Sequence, residues 1–227
     1  MQVDERRLIR LGGTRNLRDL GGYLTVDGRR TRWRTVFRSD CLDQLHPAGQ
    51  EWLLQAGLRT IIDLRDGQEV AANPNVFARS THIRYRRLPV WDEPPLPGQA
   101  VDIREGYIHE LDLLGNRLCR VLRALLEPDA LPALIHCAAG KDRTGIVVAL
   151  LLGAVGVPDQ TIAEDYALSS VCLGLDDIFE ASPERMLKTL AHLEQRFGGL
   201  RRYLIEHGLV PDQIDQLREL LTEPVST

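Results

Sequence analysis

The sequence predicts an α/β fold in which a twisted, mostly parallel central sheet is flanked by helices and the C-terminal third is helical. Between residues 34 and 155, short apolar segments of strand length alternate with longer segments of helical periodicity, a pattern typical of parallel sheets covered on both faces. After Pro183, apolar residues recur at helical spacing in pieces that Gly198, Gly199 and Gly208 interrupt. We expect one domain over residues 1–227, because the segments flanking the proline-rich stretch at residues 91–98 are too short to fold alone.

Four segments are predicted as strands, at residues 34–38, 60–64, 82–88 and 131–136. The second, TIIDL, is β-branched and apolar like a buried strand, whereas the third alternates apolar and charged residues like an edge strand. Helices are predicted from apolar spacing at residues 47–56, 103–126, 144–155 and 158–169. Gly57 ends the first of these helices and Pro158 opens the last, which are positions that these residue types favour.

Composition and charge exclude several classes of protein. The chain carries 28 basic and 32 acidic residues, for a net charge of −4, which does not suggest a nucleic acid or a membrane surface as partner. Its longest apolar run, residues 146–155, is about half of the roughly 20 residues that span a bilayer. The first ten residues are highly charged and lack the apolar core of a signal peptide. We expect a cytoplasmic protein without stable membrane insertion, with secretion without a signal peptide as the alternative.

Four cysteines lie far apart in the sequence, at Cys41, Cys119, Cys137 and Cys172. They form no CxxC pair, and only Cys137 has a histidine beside it, so the spacing of a metal site is missing. A disulfide framework is also not expected in a chain of this size with so few cysteines. We therefore predict reduced cysteines, no metal and no cofactor.

The segment HCAAGKDRTG at residues 136–145 carries the chemistry. It follows a predicted strand and opens a predicted helix, so backbone N–H groups and the helix dipole converge on an anion site. Arg143 lies six residues after Cys137, and its planar fork can bind two oxygens of a tetrahedral anion. This positive environment favours the thiolate form of Cys137, which is a nucleophile. The alternative is a buried, inert Cys137 and a surface Arg143, but the combined spacing is too specific for that.

The motif has the Cys-x5-Arg-Thr/Ser signature of the protein tyrosine phosphatase superfamily, and its Lys-Asp pair resembles the bacterial atypical branch. That branch includes enzymes that act on phosphotyrosine, sometimes on phosphoserine or phosphothreonine, and on phosphoinositides. Further segments resemble family landmarks in the expected order, namely RNLRDLGGY, FRSD, IDLR, LPVWD, DYALS and FGGLRRYL. The resemblance runs from about residue 10 to 222 and implies a single tyrosine-phosphatase-like domain.

The resemblance implies a two-step hydrolysis in which Cys137 becomes phosphorylated and water then cleaves the phosphocysteine. The loop implied to bind the phosphate comprises Ala138, Ala139, Gly140, Lys141, Asp142, Arg143 and Thr144. Arg143 and the loop amides would stabilise the equatorial oxygens. Thr144 resembles the hydroxyl residue that helps the thiolate leave, and His136 would orient the loop and support the thiolate, or simply be a core histidine.

The leaving oxygen needs a proton, and two carboxyl groups are candidates for supplying it. Asp92 lies in a proline-rich segment that resembles the superfamily's acid loop, although no proline separates it from Trp91. Asp142 lies within the phosphate loop, as in branches where a loop aspartate transfers the proton. Asp92 could instead be a solvated loop acid, and Asp142 could form an ion pair that orients Arg143 or Lys141. Residues 90–105 are a candidate lid.

His136, Asp63 and Arg65 are predicted to support the site, and Lys141 is predicted to belong to the substrate-binding loop. Lys141 is predicted either to bind a second phosphate, as on a phosphoinositide headgroup, or to be a solvated lysine. Asp63 and Arg65 end a predicted buried strand and point to the edge of the sheet that carries the loop. Asp63 either supports the site or pairs with Arg65 or with Arg38.

The favoured hypothesis is a phosphatase for phosphotyrosine in proteins, with activity on phosphoserine and phosphothreonine. A phosphoinositide phosphatase on the same scaffold is the alternative. We expect a phosphorylated protein, small molecule or lipid as substrate and a phosphate or similar oxyanion in the loop. A silent phosphate-binding module is disfavoured because cysteine, arginine and acid are all present. A rhodanese is disfavoured because its cysteine loop rarely continues into Arg-Thr-Gly. An arsenate reductase is disfavoured because its loop lies near the N-terminus with resolving cysteines close by.

Overall fold

The structure is a computed structural model that describes residues 4–91, 107–175 and 180–225. Within these residues the central sheet has five strands. In spatial order they are β1 (Arg18–Asp19), β3 (Val36–Ser39), β6 (Ala133–His136), β4 (Thr60–Asp63) and β5 (Arg84–Arg87). β1 is antiparallel to β3, and the other three pairs are parallel. The predicted α/β class with a mostly parallel sheet is confirmed.

A second, small sheet joins two distant parts of the chain. It consists of β2 (Arg29–Thr31) and β7 (Thr222–Pro224), which pair antiparallel. Neither strand was predicted, and β1 was missed as well, because segments of two or three residues are too short to show a periodicity. The predicted strand at residues 34–38 begins only at Val36, because Arg34 has a positive φ of 55° and belongs to a turn.

The described helices surround the sheet, and their order along the chain is close to the predicted one. They are α1 (Pro47–Gln55), α2 (Gly67–Ala72), α3 (Ile108–Ala124), α4 (Asp142–Ala154), α5 (Asp159–Leu173), α6 (Pro183–Phe197), α7 (Leu200–Glu206) and α8 (Pro211–Leu221). Residues 103–106 of the predicted long helix lie outside the described residues. Helix α2 was not predicted, and α5 continues four residues beyond the predicted end. The helical C-terminal third is confirmed.

The core lies on both faces of the sheet. Alternate strand residues point to opposite sides, so that Phe37, Ile61 and Leu134 join one buried cluster while Ile62 and Ile135 join the other. Helix α4 is buried along almost its whole length and packs against the sheet and against helices α3, α5, α7 and α8. The apolar run at residues 146–155 is therefore a core helix. No helix in the described part of the chain is long and apolar enough to cross a membrane.

Candidate active site

The motif lies where the carboxyl ends of three parallel strands meet. Ser39, His136 and Asp63 are register partners at the last positions of β3, β6 and β4. Residues 137–141 then form a loop that leads directly into α4. The carboxyl edge of a parallel sheet is where α/β proteins place their ligand sites, and the central strand carries Cys137 to this edge.

Donors outside the loop bind three successive loop carbonyls. The Cys41 N–H donates to the carbonyl of Ala138 at 2.8 Å, and Asn16 Nδ2 donates to that of Ala139 at 2.9 Å. Arg38 Nη2 donates to the carbonyl of Gly140 at 2.7 Å. These bonds fix the carbonyl oxygens on the outside of the loop, while the Gly140 N–H donates inward to Cys137 Sγ at 3.3 Å. This is the orientation that an anion-binding loop requires.

Only glycine fits at position 140. Its φ is +68°, and a Cβ there would lie 2.3 Å from the carbonyl oxygen of Ser39. A side chain would therefore both strain the backbone and push the loop away from β3. Cys137, at the other end of this turn, has only 2% of its surface exposed.

Glu69 holds Arg143 through both of its carboxylate oxygens. Arg143 Nη1 and Nη2 donate to Glu69 at 2.6 and 2.7 Å, and the Trp91 ring lies 4.7 Å from the guanidinium carbon. Burial alone would lower the pKa of Arg143, but the Glu69 carboxylate and the Cys137 sulfur outweigh it and raise that pKa. Asp66 caps α2 and shares a capping box with Glu69. The Asp-x-x-Glu pattern could have predicted this helix and Glu69 as its capping residue, but not the pairing of Glu69 with Arg143.

His136 is fully buried and binds backbone rather than sulfur. Its Nδ1 lies 3.0 Å from the carbonyl oxygen of Cys137, so Nδ1 must carry the proton. Nε2 then accepts from Asn75 Nδ2 at 2.9 Å. Burial lowers the pKa of His136 despite the nearby Asp63, which favours this neutral tautomer. The histidine thus fixes the first peptide of the loop.

Asp63 pairs with Arg65, which was one of the two predicted alternatives. Arg65 donates from Nη2 and Nε to Asp63 at 2.7 and 2.9 Å, and the Tyr85 hydroxyl donates at 2.7 Å. Arg65 also donates to Cys41 Sγ at 2.8 Å. Burial would raise the pKa of Asp63, but these donors and His136 outweigh it and lower it. The pair therefore braces the strand ends beneath the loop.

A buried ion-pair network supports the loop from the other side. Asp165 accepts from Arg38 Nη1 at 2.6 Å and from Arg18 Nε at 3.1 Å, and all three side chains are at most 1% exposed. Arg38 thereby connects Asp165 to the Gly140 carbonyl. The expectation that arginines of the RNLRDLGGY segment join buried ion pairs is confirmed for Arg18.

Asp142 and Lys141 lie together at the start of α4. Lys141 Nζ is 3.3 Å from Asp142 Oδ1, and their side chains are 11% and 33% exposed. The hydroxyl of Tyr107 donates to the same Oδ1 at 2.5 Å. Of the two predicted partners of Asp142, the geometry pairs it with Lys141, because Arg143 is bound to Glu69. The other candidate acid, Asp92, and residues 92–105 of the candidate lid lie outside the described residues.

Thr144 completes the first turn of α4 with a hydroxyl that has no hydrogen-bond partner within the described residues, although it is fully buried. A buried hydroxyl usually finds a partner. No protein group in the described ranges accepts a hydrogen bond from this hydroxyl, so it is a free donor at the loop.

Residues 9–223 match the model of the tyrosine phosphatase family. The chain belongs to this family. A tyrosine-protein phosphatase of Nostoc commune is 31% identical over 139 residues, which are 59% of this chain and 47% of that protein. The triple specificity protein phosphatase PtpB of Mycobacterium tuberculosis is 28% identical over 219 residues, 82% of this chain and 75% of that one. The chain thus spans about half the length of the first relative. The crystal structure of P. aeruginosa TpbA covers 87% of this chain, with 18% identity and a TM-score of 0.42.

Membership of the tyrosine phosphatase family makes Glu69 testable as the residue that orients Arg143. We expect Glu69→Gln to lower kcat/KM on aryl phosphates about 10-fold, since misplacing a catalytic group by about 1 Å has effects of this size or larger. The glutamine amide would keep one acceptor oxygen, but it would lose the negative charge and the second oxygen that accepts from Arg143. Steady-state kinetics beside Glu51→Gln, an exposed residue of α1, measures the effect. Equal kcat/KM values for the two variants would contradict the assignment.

Proposed function

We propose that this protein hydrolyses phosphate monoesters through a phosphocysteine on Cys137, with phosphotyrosine in proteins as its main substrate class. The observation that best supports this proposal is that the Gly140 N–H faces the Cys137 sulfur, in a loop whose carbonyl oxygens are bound by donors outside the loop. Arg143 lies in the first turn of α4, and its guanidinium is already oriented by Glu69. A preoriented set of donors around a nucleophile is what phosphoryl transfer requires.

In the first step the Cys137 thiolate attacks phosphorus, the S–P bond forms and the bond to the leaving oxygen breaks. The electron pair of that bond stays on the leaving oxygen, which takes a proton from the general acid. In the second step water attacks phosphorus, its proton passes to the same carboxylate, and the S–P bond breaks with its electron pair returning to sulfur. The loop amides and Arg143 bind the equatorial oxygens in both steps. The Thr144 hydroxyl, which has no hydrogen-bond partner in the described part of the chain, is available to donate to the departing sulfur.

Asp142 is proposed as the general acid, with Asp92 as the alternative. Asp142 belongs to the loop itself and its carboxyl group is one-third exposed, so it can reach a bound substrate. We expect Asp142→Asn to abolish the basic limb of the kcat/KM profile and to lower the rate by about 10²-fold or more, the usual contribution of a general acid. Asp92→Asn is the matched variant. Loss of the limb in Asp92→Asn alone would assign the proton transfer to Asp92.

Phosphoinositides remain the alternative substrate class, because Lys141 adds a second cation beside the loop. The name of the M. tuberculosis relative, a triple specificity phosphatase, supports a substrate range wider than phosphotyrosine. We also propose a single domain and, on the strength of four free cysteines, a reducing, cytoplasmic location.

The deciding experiment compares phosphate release by the wild-type protein from phenyl phosphate, a phosphotyrosine peptide, a phosphoserine peptide and a soluble phosphoinositide. We expect the highest kcat/KM on the phosphotyrosine peptide, and an acid quench should trap phosphate on Cys137. A higher kcat/KM on the phosphoinositide would favour the lipid alternative. No release from any of the four would contradict the phosphatase proposal.

A further inference from the structure

Two buried tyrosines link Asp142 to a helix on the far side of α5. The Tyr107 hydroxyl lies 2.5 Å from Asp142 Oδ1 and 2.6 Å from the Tyr166 hydroxyl. Arg185, on α6, lies with Nη1 3.4 Å from the Tyr166 hydroxyl. A continuous chain of polar groups therefore runs from α6 through the core to the phosphate loop.

The direction of every hydrogen bond in this chain follows from its ends. Arg185 has only N–H donors, so it must donate to the Tyr166 oxygen. An ionised carboxylate only accepts, so Tyr107 must give its one hydroxyl proton to Asp142. The Tyr107 oxygen then accepts the proton of Tyr166. All the donors thus point toward Oδ1 of Asp142.

We propose that Tyr107 and Tyr166 are positioning residues that hold Asp142 in the orientation for proton transfer. The proposal rests on the phosphatase function and on Asp142 as general acid. With Oδ1 bound by Tyr107, Oδ2 is the oxygen that carries the transferable proton. That proton passes to the leaving oxygen as its bond to phosphorus breaks, and water returns one in the second step. Oδ1 keeps its bond from Tyr107 in both protonation states, because a carbonyl oxygen accepts as well.

The two tyrosines are buried, whereas the acid that Tyr107 contacts is partly exposed. Tyr107 is 3% and Tyr166 is 1% exposed, while the Asp142 side chain is 33% exposed. The Tyr107 N–H donates to Thr189 Oγ1 at 3.0 Å, which anchors the start of α3 to α6. The Tyr166 ring packs on Gly145, where a Cβ would lie 2.9 Å from the ring. Buried donors can therefore fix an acid that would otherwise rotate in solvent.

The tyrosines stay protonated, so this series of hydrogen bonds persists over the pH range in which the enzyme works. Burial, and the charge of Asp142, raise the pKa of Tyr107 well above its ordinary value, and burial also raises that of Tyr166. Within the described residues, the other ionisable groups facing this cluster are Lys141, Arg185 and Glu110. Glu110 is a buried residue of α3 whose pKa is raised, chiefly by burial and further by the charge of Asp142.

The test compares two substrates that differ in how much they need the acid. Phenyl phosphate has a poor leaving group that must be protonated, whereas 4-nitrophenyl phosphate has a good leaving group that depends on protonation far less. We expect Tyr107→Phe to lower kcat/KM on phenyl phosphate roughly 10- to 100-fold, with a much smaller change on 4-nitrophenyl phosphate.

Tyr166→Phe and the double variant test whether the chain acts as a unit. Tyr166 touches Asp142 only through Tyr107, so its loss should have a smaller effect in the same direction. The double variant should be no worse than Tyr107→Phe alone, since dependent residues are not additive. Tyr203→Phe is the control, because Tyr203 is equally buried and its hydroxyl donates at 2.9 Å to the Leu111 carbonyl, away from Asp142.

Two outcomes would overturn the proposal. If Tyr107→Phe leaves the ratio of kcat/KM between the two substrates unchanged, and its thermal unfolding is like that of Tyr203→Phe, the hydroxyl does not position the acid. If the wild-type protein and Tyr203→Phe released no phosphate from either substrate, the phosphatase proposal itself would fail, and this one with it.

Discussion

Replacing Cys137 with serine is expected to lower kcat/KM on aryl phosphates by about 10⁴-fold or more. A serine hydroxyl keeps its proton at neutral pH and is a far weaker nucleophile than a thiolate. Losing the nucleophile of a preorganised site removes most of its catalysis, with only binding and charge stabilisation left. The measurement is initial-rate kinetics on phenyl phosphate with the variant purified free of wild-type enzyme.

The same variant should still bind a phosphotyrosine peptide. The groups that would hold the phosphate are the loop amides and Arg143. The Gly140 N–H donates to Cys137 Sγ, and a serine oxygen can accept the same bond. Outside donors bind the loop carbonyls and Glu69 binds Arg143. Isothermal titration calorimetry with the peptide should therefore give a Kd for Cys137→Ser that can be compared with the KM of the wild type.

Cys172→Ser is the matched control, because Cys172 is a half-buried thiol on α5 outside the loop. It should retain wild-type kcat/KM. Turnover by Cys137→Ser at a rate near that of the control would rule out the phosphocysteine mechanism. If Cys137→Ser instead loses both turnover and peptide binding, the sulfur itself shapes the loop.

Much of this fold is visible in the sequence because its pattern is local. TIIDL and ALIH are apolar on both faces, as strands covered on both sides must be, and both lie in the interior of the sheet. The loop with Cys137 and Arg143 is equally local, since its chemistry and its strand–loop–helix context lie within about a dozen residues. Strands such as β2 and β7 escape such reasoning because they pair across 193 residues.

The partners that orient the site could not be predicted for the same reason. Glu69 is separated from Arg143 by 74 residues, and Tyr107 from Asp142 by 35. Each residue has a common structural interpretation when seen alone, Glu69 as a helix-capping acid and Tyr107 as a core aromatic. Only packing shows which carboxylate meets which guanidinium, because any of many surface acids would match the sequence pattern equally well.

Asp165→Asn is expected to lower the free energy of unfolding by about 3–5 kcal/mol, which is the usual effect of breaking a buried ion pair. Asp165 faces two arginines, Arg18 and Arg38, and accepts a third bond from Tyr23 at 2.9 Å. Without the carboxylate, two guanidinium groups would be left buried with no opposite charge between them. Domains are stable by only about 5–15 kcal/mol, so this is a large fraction of the total.

Urea denaturation followed by circular dichroism measures the loss, with Asp215→Asn as control. Asp215 also pairs with an arginine, Arg201 at 2.9 Å, but both side chains are more than half exposed, and exposed pairs contribute little. Similar urea midpoints for Asp165→Asn and Asp215→Asn would contradict the assigned role of Asp165.

The pH dependence of this loss has a definite sign. Burial alone would raise the pKa of Asp165, but Arg18 and Arg38 outweigh it and hold that pKa well below its usual range. In the unfolded chain the carboxyl has an ordinary pKa of about 3.9. The folded state therefore binds fewer protons, so the stabilisation by Asp165 is fully present above about pH 4 and declines as the pH falls further. The difference between wild type and Asp165→Asn should consequently be full at pH 7 and smaller at pH 3, whereas a purely steric defect would be equal at both. Arg38 also binds the Gly140 carbonyl. Asp165→Asn protein that remains folded should therefore bind phosphate more weakly than the wild type.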